Sequence, residues 1–142
     1  MYYFWAGLNV LFGSFETAND TNVILAMIES AAGLAALDDI LDAPGIDGVF
    51  VGPFDLSIAL TGSIQPTHAA VGVALDKVLA ACRTRNKIAT VMGATGQRAS
   101  ELLAMGFDLV AIGPDHAHLR DGARAALETA RGGSAAITRS GY

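Results

Sequence analysis

The sequence predicts an α/β protein with a parallel sheet, and three features carry that expectation. Four apolar runs, at residues 23–28, 49–51, 87–92 and 107–112, recur along the chain, and each closes on a glycine or an acid. Between them lie stretches whose apolar residues fall at helical spacing. Hydrophobic residues make up 52% of the chain against 16% charged, which is enough to build a core and excludes a disordered polar chain. Strand followed by helix, four times over, demands right-handed crossovers and parallel strands. A doubly wound sheet and a barrel satisfy that pattern equally well.

The first strand, 23–28, ends on Glu29, and Ser30 is placed to cap the helix that follows. Leu34, Leu37 and Leu41 share one face of that helix, and Ala43-Pro44-Gly45 ends it. Val49-Phe50-Val51 is an unbroken β-branched and aromatic run, as expected of a strand buried on both faces. Gly52 and Pro53 stop it, because proline cannot donate to the ladder, and the loop beyond presents Asp55. Residues 59–65 read as a connection, and Pro66-Thr67 open the next helix.

That helix has the clearest stripe in the chain: Val71, Leu75, Val78, Leu79 and Cys82. Cys82 reads as a small core residue. The third strand ends at Gly93, and Gly93-Ala94-Thr95-Gly96 lacks the lysine of a phosphate-binding loop and reads as core-loop geometry. Ala99, Leu102 and Leu103 mark a helix that Gly106 ends in a left-handed cap. After the fourth strand come Gly113, Pro114 and Asp115, with Asp115 expected to cap the last helix. Leu119, Ala123, Ala126 and Leu127 give that helix a stripe expected to be buried. His116 and His118 stand two residues apart, on different faces, and do not form a metal pair.

The formal net charge of -5 and the scattered basic residues argue against a nucleic-acid partner. One cysteine excludes a disulfide framework and suits a reducing cytoplasm. Residues 1–16 form an atypical N-terminal segment, opening with Tyr2, Tyr3, Phe4 and Trp5. It lacks the basic start of a signal peptide, its apolar run is too short to cross a membrane, and no membrane partner is expected. It reads either as a helix docked on the domain or as sequence foreign to it, with the second favoured. Residues 17–131 form the domain proper, and 132–142 lack periodicity and read as a flexible tail.

Two consecutive strands thus deliver Glu29 and Asp55 to one edge of the sheet, the edge where parallel α/β folds place their chemistry. Two carboxylates there suit a hard divalent cation. Helix capping by Glu29 and turn formation by Asp55 explain the same residues about equally well.

Met27-Ile28-Glu29-Ser30, Leu37-Asp38-Asp39-Ile40-Leu41 and the run from Pro44 through Gly52-Pro53-Phe54-Asp55-Leu56-Ser57 together resemble the hydroxy-oxo-heptanedioate aldolase and citrate lyase β-subunit family, most narrowly its metal-dependent pyruvate aldolases. The resemblance implies the last four units of an eight-stranded (β/α) barrel of the phosphoenolpyruvate/pyruvate type. It implies retro-aldol cleavage of a 4-hydroxy-2-oxo acid to pyruvate and an aldehyde, in a cytoplasmic homo-oligomer. Glu29 and Asp55 are then ligands of Mg2+ or Mn2+, with Co2+ as a further candidate. Gly52, Phe54 and Asp55 are then substrate-binding, the amides of Phe54 and Asp55 holding the pyruvate carboxylate where Gly52 permits close approach.

Two departures accompany the resemblance. Met27 stands where many of these aldolases carry a substrate-contacting glutamine. The histidine base and the arginine of the family lie on earlier strands, so no catalytic residue is assignable here. A full barrel needs about 250 residues, and this chain has 142. The alternative reading is therefore a non-catalytic half-barrel that binds metal and pyruvate or assembles with another chain. A phosphate- or nucleotide-binding domain is the third and weakest reading.

Overall fold

The computed structural model describes residues 3–4 and 22–132. The flexible-tail expectation for 132–142 falls almost wholly outside them, as does most of the atypical N-terminal segment. In chain order the elements are β1 (Tyr3–Phe4), β2 (Leu25–Ile28), α1 (Ala31–Ala35), α2 (Leu37–Asp42), β3 (Gly48–Val51) and α3 (Pro53–Thr61). They continue with α4 (Ala69–Arg85), β4 (Ile88–Gly93), α5 (Gly96–Met105), β5 (Leu109–Ile112) and α6 (Asp115–Ala130).

The sheet order is β1-β2-β3-β4-β5, with β2 to β5 parallel. That order agrees with the barrel that the resemblance implies and sets aside the doubly wound sheet that the strand pattern alone left open. A doubly wound sheet reverses its strand order at a switch point, whereas here each strand pairs with the next in sequence. Right-handed crossovers that always step the same way leave the helices on one face, as in a barrel wall. Tyr3–Phe4 joins the sheet as a short strand antiparallel to β2, pairing Tyr3 with Ala26 and Phe4 with Leu25. A docked helix is one of the two sequence expectations there, and no local pattern signals this long-range pairing.

The two faces of the sheet differ sharply. Ala26, Ile28, Val49, Val51, Ala89 and Val91 are buried, and they form the core with Leu37, Leu41, Leu56, Leu75, Val78 and Leu102 from the helices. On the opposite face, Met27, Phe50 and Met92 are only half-buried. Val49-Phe50-Val51 is thus not buried on both faces as expected: among the described residues only the helical side is fully covered. Thr90 is the polar exception on the open face, fully buried with its hydroxyl donating to the Val49 carbonyl at 2.8 Å.

Local chemistry sets the element boundaries. Ser30 caps α1, its hydroxyl accepting from the Gly33 amide at 3.0 Å. The single helix expected after Glu29 is broken at Ala36 into α1 and α2, which lets Leu37 and Leu41 turn into the core. Thr95 caps α5 and His68 caps α4, the latter accepting from the Ala70 amide through Nδ1 at 3.1 Å. Gly106 ends α5 at φ 106°, where an L-residue would be strained, as its position predicts. Cys82 lies in the core, and burial pushes its thiol pKa up to about 11.

Arg85 ties α4 to α2, donating to Asp42 at 2.7 Å and meeting Asp38 at 3.0 Å. The guanidinium holds the Asp42 carboxyl below its usual pKa. At the opposite edge of the sheet from the strand ends, two aspartates clamp neighbouring strands. Asp47 accepts from the Ile24 amide at 2.7 Å and Asp108 from the Ala89 amide at 2.8 Å. Each stands just before one strand and secures the start of its neighbour, so the C-terminal ends are held in register.

The last unit departs from expectation. No residue of α6 is buried, and Leu119 is 77% exposed and Leu127 55%. Its strand β5 is likewise open, with Leu109 55% exposed. The stripe on α6 is real in the sequence, but a stripe specifies a face, not what covers it. Among the described residues, no helix is long and apolar enough to cross a membrane.

Candidate functional site

The C-terminal ends of the four parallel strands meet at a cavity of about 420 Å³. Strand β2 contributes Met27 and the residue after its end, Glu29. Strand β3 contributes Phe50 and, beyond it, Gly52, Pro53, Phe54 and Asp55. Met92 and Ala94 come from β4, and Gly113 and Pro114 from the end of β5.

Asp55 does not sit on a loop, as the sequence reading had it. Gly52 is the N-cap of α3, Pro53 occupies its first position, and Asp55 lies in the first turn. The reason is local. Proline's fixed φ suits the first helical position, where its missing N–H costs nothing, and a carboxylate is favoured near the positive end of the helix dipole. Leu56 and Ser57 anchor the turn in the core, the Ser57 hydroxyl donating to the Phe54 carbonyl at 2.6 Å. The helix runs on to Thr61 before Gly62 ends it at φ 78°, so part of the expected 59–65 connection is helical.

The geometry above Gly52 brings the two acids together. A Cβ placed on Gly52 would stand 3.3 Å from Glu29 Cβ, 3.5 Å from Glu29 Oε2 and 3.9 Å from Asp55 Oδ2. Both carboxylates therefore border the small space that the missing side chain leaves. Gly52 has φ -99°, which any residue adopts, so its role there is room and not backbone freedom. Its amide donates to the Ile28 carbonyl at 3.1 Å, fixing the turn after β3 against the end of β2.

The amides of Phe54 and Asp55 belong to the first turn of α3, where no intrahelical acceptor exists. They have no acceptor among the described residues, and both residues line the cavity. Two carboxylate oxygens, two available amides and half-buried Met27, Phe50 and Met92 make a site that can hold a hard cation beside a small carboxylate. Among the described residues no group of three or more His, Cys, Asp or Glu side chains gathers as a metal site, and the carboxylates that line this cavity are those of Glu29 and Asp55. A hard cation with two protein oxygens keeps positions for substrate and water, and this donor set fits it.

None of the chain's three histidines lines the cavity. His68 caps α4, His116 is exposed, and the His118 ring Nε2 meets the Ile112 carbonyl at 2.6 Å. Asp115 does not cap α6: Pro114 is the N-cap, and the Asp115 carboxylate accepts from the His116 amide at 2.7 Å. A cap needs extended backbone before the helix, and here Pro114 supplies it at φ -84° and ψ 152°.

Sequence reasoning missed the cavity's other walls. Met92, Ala94, Gly113 and Pro114 carry no chemistry of their own, and Gly93-Ala94-Thr95-Gly96 read as core geometry. Their one signal was position, since residues just past parallel strand ends form the site in such folds.

Comparison with known proteins places this geometry in a family. Residues 9–122 match the family model described as HpcH/HpaI aldolase/citrate lyase. A 4-hydroxy-2-oxo-heptane-1,7-dioate aldolase of Salmonella arizonae is 37% identical over 108 residues, covering 76% of this chain and 41% of that protein. A hydroxypyruvate/pyruvate aldolase of Rhizorhabdus wittichii is 38% identical over 121 residues, covering 84% and 48%. Among solved structures, an HpcH/HpaI aldolase/citrate lyase family protein of Burkholderia cenocepacia superposes with a TM-score of 0.75 at 29% identity. That match covers 82% of this chain and 45% of the other. The chain thus spans less than half the length of these relatives.

Proposed function

Because the chain belongs to the HpcH/HpaI aldolase/citrate lyase family, we propose that its strand-end cavity binds a divalent cation and pyruvate in the cleavage of 4-hydroxy-2-oxo acids. The observation that carries this reading is the convergence of Glu29 and Asp55 over Gly52, beside the amides of Phe54 and Asp55. Glu29 and Asp55 hold Mg2+ or Mn2+. A cation held there supplies Lewis-acid stabilisation for the negative charge that develops on the keto oxygen.

The protein's own groups do the rest of the binding. The two amides donate to the substrate carboxylate, helped by the positive end of α3. Gly52 lets that carboxylate approach the backbone, and Met27, Phe50 and Met92 exclude water from the reacting carbons. In the cleavage the C4 hydroxyl loses its proton, the C3–C4 bond breaks, and the electron pair moves onto the pyruvate unit, which is then protonated at C3. With no histidine on the cavity, the proton acceptor is not assigned to a side chain of this chain.

That same observation favours a second reading, in which the site binds cation and pyruvate without turning over substrate. Homo-oligomeric assembly belongs to the proposal too, supported by the exposed Leu119 and Leu127 of α6. A cytoplasmic setting accords with the single cysteine.

Proton exchange at the pyruvate methyl group tests the reading. The chain is incubated with Mg2+ and pyruvate in heavy water and the methyl signal is followed by NMR. Loss faster than in an EDTA control, abolished by Asp55→Asn, supports enolisation at this site. Cation-dependent pyruvate binding without exchange supports the second reading. Absence of cation-dependent binding refutes both.

A further inference from the structure

A second cavity, of about 300 Å³, adjoins the first. The two share Pro53, Phe54, Met92 and Ala94 as walls, so Phe54 and Met92 stand between the site over Gly52 and the space beyond. The second cavity is walled mostly by carbon, with Pro66 added on one side. Of its polar lining, Thr67 stands just before α4, while Thr95, Gln97, Arg98 and Glu101 lie at the cap and first turns of α5.

Arg98 is the one cation lining either cavity. Its amide is occupied in the cap of α5, donating to Thr95 Oγ1 at 3.2 Å, which fixes the residue whatever its side chain does. One guanidinium nitrogen, Nη1, meets Glu101 Oε2 at 2.8 Å. The other guanidinium nitrogens have no partner among the described residues, and the side chain is 29% exposed. A planar guanidinium with an unused edge is suited to a carboxylate, which it can grip through two parallel hydrogen bonds.

We propose that this second cavity receives the part of the substrate beyond the pyruvate unit, and that Arg98 is the specificity-determining residue there, selecting chains that end in a carboxylate. The inference rests on the reading of the first cavity as the cation and pyruvate site. The apolar walls accept a short methylene chain, and the α5 side, which does not line the first cavity, offers one positive group. Glu101 competes with the ligand for the same guanidinium and sets how strongly it binds.

The test uses the full chain with Mn2+ and two seven-carbon 2-oxo acids, 2-oxoheptanedioate and 2-oxoheptanoate, with pyruvate as reference. Calorimetric titration of each reads the value of the terminal carboxylate directly. The expected result is that the dioate binds roughly five- to tenfold more tightly than the monoacid, as a charge-assisted hydrogen bond at a partly exposed site provides. Arg98→Gln should remove that difference and leave pyruvate affinity unchanged, and Glu101→Gln should widen it. Equal binding of the two seven-carbon acids, or a preference that survives Arg98→Gln, overturns the inference while leaving the pyruvate site standing. Failure of pyruvate itself to bind overturns the inference together with the reading beneath it.

Discussion

Replacing Gly52 with alanine separates the fold from the site. The backbone there, at φ -99° and ψ 89°, accepts an alanine without strain. Alanine is a poorer N-cap than glycine, a cost of about 0.5–1 kcal/mol. The reduced freedom of the unfolded chain returns about 0.4–1 kcal/mol. The two nearly cancel, so the melting temperature should move by no more than about 4 °C, taking about 2–4 °C per kcal/mol for a chain of this size. The new methyl group, however, would stand 3.3 Å from Glu29 Cβ and 3.5 Å from its Oε2, so the glutamate must give by a few tenths of an ångström. It also takes space bordered by Asp55 Oδ2. Displacing one of the two proposed ligands by that much should weaken cation binding roughly 10- to 100-fold, the scale seen when ligand orientation is lost. Thermal melts followed by circular dichroism and Mn2+ titration by calorimetry read the two effects. Unchanged Mn2+ affinity would mean that the cation is not held by the carboxylates that border Gly52.

Gly48→Ala should act oppositely, on the fold. A Cβ there meets the Ile88 carbonyl oxygen and stands 2.8 Å from the Ile88 carbonyl carbon, backbone that cannot swing aside, and 2.8 Å from the Ile88 Cβ. A loss of about 3 kcal/mol or more is expected, seen as a melting-temperature drop of roughly 6 °C or more. Asp42, its carboxyl held below the ordinary 3.8 by Arg85, favours the folded state above the unfolded pKa and loses that effect as pH falls through the folded value. The melting-temperature gap between wild type and Asp42→Asn should therefore close below about pH 4, and it should narrow in high salt because the pair is exposed. For Cys82 the sign reverses: the unfolded thiol ionises near 9.0 and the folded one near 11, so wild type should lose stability relative to Cys82→Ala as pH rises across that window. Its reaction with a thiol reagent at pH 8 should be slow until the chain is unfolded.

Much of this architecture is written in local chemistry, and what is not follows from partners distant in sequence. Ser30, Gly106 and Cys82 behave as their types and positions predict, because a cap, a left-handed turn and a small apolar stripe residue are decided within a few residues. The four parallel strands are found from their apolar runs, but their order, which makes the sheet a barrel wall, is a property of pairing and only the structure displays it. Asp55 was found and its setting was not: the Gly52-Pro53 pair signals the start of a helix as readily as the end of a strand, and burial of Leu56 settles which. The clamps formed by Asp47 and Asp108 join strands whose residues lie 23 and 19 positions apart, beyond any local signal. The exposure of α6 was unreadable for a related reason, since periodicity in Leu119 and Leu127 says nothing of what those side chains meet.

Glu29 and Asp55 are proposed together to hold a divalent cation at the strand ends. Calorimetric titration of the full chain with Mn2+, beside Glu29→Gln and Asp55→Asn, reads that site. A single site is expected in the wild type that each substitution abolishes, with melting temperatures lowered by no more than about 4 °C, since Asp55 is exposed, Glu29 is half-buried and loss of a carboxylate from the first turn of α3 costs about 0.3–1 kcal/mol. A wild type that binds no Mn2+, or binding that survives both substitutions, would contradict it.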